Sequence, residues 1–165
     1  MVITDVRSLN SGDWQDVLRI YKQGIQSGMA TLETEIPDWQ VWDSEHLKDP
    51  RFVAITDHRT VGWIALTPVS GRCVYGGVGE ISVYVDSEDR GRGVGKLLLQ
   101  KATRRSEELG YWTLQAGILE ENVASIRLHR SCGFRVVGVR ERLGRLNGQW
   151  KNIVLMERRS PIVGT

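Results

Sequence analysis

The sequence predicts a mixed α/β fold, an α+β mixed sheet with helices on its faces, and three observations carry that expectation. Runs of alternating or β-branched residues are interleaved with segments of helical spacing. Their order along the chain is strand, two helices, three strands, then helix, strand, helix and two final strands. A glycine-rich turn lies in mid-chain between a strong strand and a convincing helix, not early in a βαβ unit. That placement argues against a doubly wound nucleotide-binding fold.

Each element has its own signal. Residues 2–7 read as a first strand. Over 13–25, Trp14, Val17, Leu18, Tyr21 and Ile25 recur at helical spacing. The polar, interrupted stretch 26–37 is a loop, and Asp38 caps a second helix that runs towards Leu47. Short β-type runs at 52–56 and 61–66 form a hairpin around Asp57-His58-Arg59-Thr60, and the glycine-containing stretch 70–79 is a connection. Over 80–85, Glu80, Ser82 and Tyr84 fall on one face and Ile81, Val83 and Val85 on the other. The turn 86–95 leads into a helix over 96–109, with Gly110 at its left-handed cap. A strand over 112–118 follows, then a helix over 123–132 that Asn122 caps and Gly133 ends. Two last strands, 134–142 and 149–157, flank Asn147-Gly148, which favours a type I′ hairpin turn.

A chain of 165 residues suits one domain over 1–165, able to bury roughly 70% of the surface its unfolded form exposes. The net charge of +2 is not massed in any patch, so no nucleic-acid partner is expected. The first seven residues are too short and polar for a signal peptide, and no apolar run approaches the roughly 20 residues that cross a bilayer. A cytoplasmic protein without membrane association is the expectation. Cys73 and Cys132 stand far apart and lack a Cys/His ligand spacing, so neither a disulfide framework nor a metal site is expected.

The most informative segment is Arg90-Gly91-Arg92-Gly93-Val94-Gly95-Lys96. A helix N-terminus leaves backbone N–H groups unpaired and carries partial positive charge. Glycines allow positive φ and close approach of an anion, and Arg90, Arg92 and Lys96 add formal charge. The segment therefore suits a pyrophosphate, although a solvated turn that merely caps a helix has the same composition. It is not a P-loop, because Leu97 follows Lys96 where Ser or Thr is needed, and its G-x-G-x-G spacing is not the dinucleotide fingerprint.

With these residues the sequence resembles the GNAT superfamily of N-acetyltransferases, in which Arg90-x-x-Gly93-x-Gly95 is similar to the acetyl-CoA pyrophosphate loop. The resemblance covers essentially the whole chain and narrows to the phosphinothricin acetyltransferase-like branch. Tyr21, Thr34-Glu35, Glu80 heading Ile81-Ser82-Val83-Tyr84-Val85, Asn122-x-x-Ser125-x-x-Leu128-His129, Gly133-Phe134 and Gly148-x-Trp150 carry it. It implies the GNAT acyl-CoA N-acyltransferase fold, with a central, mostly antiparallel, twisted sheet. It also implies acetyl-CoA as co-substrate, a small amino acid-like amine as acceptor, and a homodimer. The cofactor would meet Val83, Tyr84, Val85, the segment Arg90, Gly91, Arg92, Gly93, Val94, Gly95 and Lys96, and Asn122 and Ser125.

Acetyl transfer from a thioester needs a neutral amine and a group to take its proton. Glu80 is the candidate base; a strand-end acid paired with Arg72 would look the same in sequence. His129 can protonate the departing thiolate, bond the sulfur region, or be purely structural. The resemblance sets Arg72 and Tyr75 near the substrate's acidic group, with Leu32 and Glu35 on the opposite loop. A guanidinium suits a carboxylate or phosphinate, and both residues also read as ordinary loop residues. Ser70, Lys22 and Lys151-Asn152 depart from the branch's usual residues and bear on the choice of substrate. Acetylation of a protein or peptide amine, or a CoA-binding regulatory module without turnover, are the competing functions.

Overall fold

The computed structural model describes residues 2–3 and 5–165. In chain order the elements are β1 (Asp5–Ser8), α1 (Trp14–Ser27), α2 (Trp39–Glu45), β2 (Arg51–Thr56), β3 (Arg59–Pro68), β4 (Val78–Val85), α3 (Val94–Glu108), β5 (Thr113–Leu119), α4 (Val123–Ser131), β6 (Arg135–Leu146) and β7 (Gln149–Arg159). The order is the one the sequence predicts, and the boundaries differ. The first strand begins at Asp5, while Thr4 of the expected strand lies outside the described residues, as does Met1. β4 starts at Val78 and α3 at Val94, each two residues before its expected start, and β6 runs on to Leu146.

Local chemistry explains the joins. Asp57 and His58 both take positive φ and close a two-residue hairpin between β2 and β3, tighter than the four-residue turn expected. Asn147 (φ 50°) and Gly148 (φ 77°) do the same between β6 and β7. The Asp38 side chain accepts from the Val41 N–H at the start of α2, as its cap position predicts.

Seven strands form one sheet in the order β1-β2-β3-β4-β5-β7-β6. All neighbours are antiparallel except β4 and β5. One core lies between the sheet and α3, around Ile64, Leu66, Leu98, Leu99 and Met156. The other lies under α1 and α2, around Val17, Ile20, Trp42, Val53 and Trp63, with Tyr21 and Tyr84 packed against it. Close approach decides two glycines: a Cβ at Gly62 would stand 2.9 Å from Val94 Cγ1, and one at Gly24 2.7 Å from the Tyr84 ring. Both helical layers thus sit hard against β3 and β4, and this fixes the strand that carries the site.

Candidate active site

β4 pairs with β3 along all but its first residue, from Gly79 opposite Pro68 to Val85 opposite Gly62. Its other edge pairs with β5 at only three positions, ending at Glu80 opposite Gln115. Beyond Glu80 the two parallel strands diverge, so the β5-facing main-chain groups of 81–85 have no strand partner. The sheet is forked, and Glu80 stands at the fork. Sequence periodicity marks both strands but carries no trace of this separation.

A cavity of about 750 Å³ opens at the fork. Glu80, Ser82, Val83, Tyr84, Asn122, Ser125 and His129 line it, and so do Leu32 and Glu35 of the loop between α1 and α2. The half-buried Glu80 carboxylate accepts from the Gln115 side-chain amide at 3.3 Å and has no ion-pair partner among the described residues. An Arg72 partner is therefore not what holds it. A Cβ at Gly117 opposite would stand 3.3 Å from Ile153 Cγ2 and 3.9 Å from Glu80 Oε1.

His129 is 2% exposed and packs edge-on against Phe134 with ring centroids 5.2 Å apart. Its Nδ1 lies 2.8 Å from the Ser125 carbonyl oxygen, which can only accept. Nδ1 therefore carries the proton, and the buried Nε2 is left as a bare acceptor with no partner among the described residues. Burial pushes the imidazole pKa down, against the opposing pull of the Ser125 carbonyl, so the ring is neutral at pH 7. Asn122 has two roles: its Oδ1 accepts from Ser125 N at 3.2 Å to cap α4, and its Nδ2 donates to the Met29 carbonyl at 3.0 Å. One amide thus ties the start of α4 to the loop between α1 and α2.

At the far end of β4 the chain makes one 3₁₀ turn, Ser87–Asp89, and then the glycine-rich segment. Five residue steps from Glu80 to Val85 cover about 17 Å of strand. Gly91 (φ 74°) and Gly93 (φ 85°) take left-handed conformations with open space where a Cβ would lie. Gly93 is the N-cap of α3 and no side chain caps it, so the N–H groups of the first turn are available to an anion. Arg90, Arg92 and Lys96 are exposed around that end. Gly95 has another reason: a Cβ there would stand 2.8 Å from Leu128 Cδ2, so it serves the packing of α3 on α4.

A charged network lies under this turn. Asp86 and Asp89, both 1% exposed, receive Arg19, Arg59 and Arg92: Arg19 and Arg59 on Asp86, Arg59 at 2.5 Å and Arg92 at 3.5 Å on Asp89. Burial alone would raise the Asp86 pKa, and the bonds from Arg19 and the Glu88 N–H overcome it, so the carboxyl is held below its ordinary range.

The match to the Acetyltransferase (GNAT) family covers residues 14–134. The chain belongs to that family. An L-methionine sulfoximine/L-methionine sulfone acetyltransferase of Pseudomonas paraeruginosa is 37% identical over 164 residues, covering 92% of each chain. A phosphinothricin N-acetyltransferase of Alcaligenes faecalis is 31% identical over 159 residues, covering 93% of this chain and 81% of that one. The crystal structure of a GNAT phosphinothricin acetyltransferase from Sinorhizobium meliloti in complex with acetyl-CoA superposes with a TM-score of 0.89 at 26% identity, over 99% of this chain and 91% of that one.

In this GNAT chain not every expected site residue comes together. Arg72 and Tyr75 lie on the exposed connection before β4, with the guanidinium 5.7 Å from the Tyr75 ring centroid, and neither lines the cavity. The walls include residues that sequence reading passed over, chiefly Glu33, Glu45, His46 and Trp63. Trp63 belongs to the core under α1 and α2, yet it also faces the cavity. His46 stacks on Trp42 at 4.0 Å, with Nδ1 2.7 Å from the Trp42 carbonyl. No helix among the described residues is long and apolar enough to cross a membrane.

Proposed function

We propose that the protein transfers the acetyl group of acetyl-CoA directly to the amine of a small amino acid-like substrate, of the phosphinothricin or methionine sulfoximine type, with Glu80 as general base. The observation that carries this reading is Glu80 at the last β4–β5 pair, in the wall of the cavity, on the strand that leads to an uncapped helix N-terminus. Relatives named for acetylation of phosphinothricin and methionine sulfoximine support the substrate class.

Acetyl-CoA, when bound, supplies an electrophilic thioester carbonyl. An ammonium group has no lone pair, and Glu80 takes its surplus proton directly or through one water. The unpaired edge of β4 around Val83, Tyr84 and Val85 offers main-chain groups to hold the pantetheine amides and polarise the carbonyl. The first turn of α3, with Arg90, Arg92 and Lys96, takes the pyrophosphate. Asn122 and Ser125 border the same arm from α4. His129 enters the reaction neutral, with Nε2 as an acceptor, so it protonates the departing thiolate only after first taking up a proton. Leu32 and Glu35, both in the cavity wall, meet the substrate from the loop.

This reading describes one domain over 1–165 in a cytoplasmic enzyme. A homodimer belongs to it and is supported by the exposed apolar side chains of β6, Val137 and Val139, and by Trp150 on β7. The test is thiol release from acetyl-CoA across phosphinothricin, methionine sulfoximine, methionine sulfone, standard amino acids, polyamines and short peptides. Release with an amino acid analogue supports the proposal. Release with peptides alone would make it a protein N-acetyltransferase. No release despite acetyl-CoA binding would leave a CoA-binding regulatory module.

A further inference from the structure

We infer that the substrate lobe of the cavity selects amines whose far end is uncharged or cationic, such as a sulfone, a sulfoximine or an ammonium, and rejects a phosphinate or a second carboxylate. The inference rests on the acetyltransferase reading and narrows its substrate class.

Among the described residues, the charged side chains in the cavity wall are Glu33, Glu35, Glu45 and Glu80, and no lysine or arginine lines it. None of the four is ion-paired among the described residues; Glu80 has the neutral Gln115 amide, and the other three are exposed towards solvent. The field inside the lobe is therefore negative and unneutralised. The single guanidinium expected near the substrate, Arg72, lies outside the lining. An anionic terminus would give up its water and meet carboxylates with no cation in return.

The neutral groups of the lobe point the same way. Tyr84 and Trp63 stack with centroids 4.8 Å apart, and Tyr21 stands edge-on to them at 5.0 and 5.8 Å. Burial, with the charge of Glu33 adding to it, pushes both tyrosine hydroxyls up, so they stay protonated and able to donate. The Trp63 indole N–H is buried and has no acceptor among the described residues. Neutral donors and aromatic faces inside a negative wall suit a sulfonyl oxygen or a cation. They offer a phosphinate at most three hydrogen bonds against the repulsion of four acids.

The experiment compares kcat/KM at saturating acetyl-CoA, by thiol release from the full chain, for methionine sulfone, lysine, phosphinothricin and glutamate. We expect the sulfone or lysine to exceed phosphinothricin and glutamate by at least about tenfold. In Glu33→Gln/Glu45→Gln, both at exposed positions, that ratio should shrink by about threefold or more as like-charge repulsion is removed. Phosphinothricin turned over as fast as the sulfone, or a ratio unmoved in the double variant, overturns the inference and leaves the acetyltransferase reading standing. If no amine is turned over, that reading fails instead, and calorimetric binding to the CoA complex still decides the selectivity. Sulfone or lysine bound more tightly than phosphinothricin supports it, and the reverse order overturns it.

Discussion

Arg59 holds the glycine-rich turn from below, and replacing it with methionine separates that role from ordinary surface pairing. Its guanidinium joins the two buried carboxylates of the turn, Asp86 at 3.2 Å and Asp89 at 2.5 Å. Methionine keeps most of the aliphatic stem and removes the charge. Breaking a fully buried pair costs about 3–5 kcal/mol, but Arg59 is 41% exposed and each aspartate keeps another arginine, so about 1–2 kcal/mol is expected here. For a chain of this size that lowers the thermal midpoint by about 2–8 °C. If about 1 kcal/mol of the loss falls on the order of the turn, KM for acetyl-CoA rises about fivefold while kcat at saturation stays close to wild type. Thiol-release kinetics at varied acetyl-CoA, with calorimetric melting, read both. Arg105→Met is the control: Arg105 pairs with Asp49 and Glu108 in solvent, and its loss should move the midpoint by no more than about 1–2 °C. An Arg59→Met protein with unchanged midpoint and unchanged KM would refute the idea that the buried network orders the turn.

Three further outcomes follow from named contacts. Gly95→Ala drives a methyl to 2.8 Å from Leu128 Cδ2, so α3 and α4 must shift apart at a cost of about 1–3 kcal/mol, read by denaturant titration. Asn122→Ala removes the α4 cap and the bond to Met29, lowering stability by about 1–2 kcal/mol and exposing the loop at 28–37 to faster proteolysis. Stability also depends on pH: burial lowers the pKa of His46 and His129 below the ordinary 6.5, so the unfolded chain takes up protons first as pH falls. Unfolding free energy should decline from pH 6.5 down to the depressed folded values and then level. A second decline comes below 3.8, where Asp13 and Asp86 lose their paired charge. Denaturant titrations from pH 8 to pH 3 check the shape, and stability that rises on acidification to pH 5 would contradict it.

The sequence made plain what local chemistry decides. Alternation gave β4 its faces, with Glu80, Ser82 and Tyr84 together, and glycines at 91 and 93 marked a turn that only positive φ can make. The Asp38 and Asn122 caps and the Asn147-Gly148 turn were equally readable, because each depends on one or two residues. The fork was not readable, since the parting of β4 from β5 after Glu80 depends on register between strands more than thirty residues apart. Nor was the acidic lobe. Glu33 and Glu45 look like solvated charges in a loop and a short helix, and only the packing of α1 and α2 on Trp63 and Tyr84 turns them to one cavity. Arg72 shows the converse: its residue type suited an anion, and nothing in its neighbourhood signalled that the connection would hold it outside the lining.

The most direct measurement is Glu80→Gln, which keeps the shape of the side chain at the fork and removes the proton acceptor. Turnover with the best amine, followed by thiol release, should fall about a hundredfold to ten-thousandfold, while calorimetry gives an acetyl-CoA affinity within about twofold of wild type. Turnover that stays within about tenfold of wild type would show that another group takes the proton and that Glu80 is not the base.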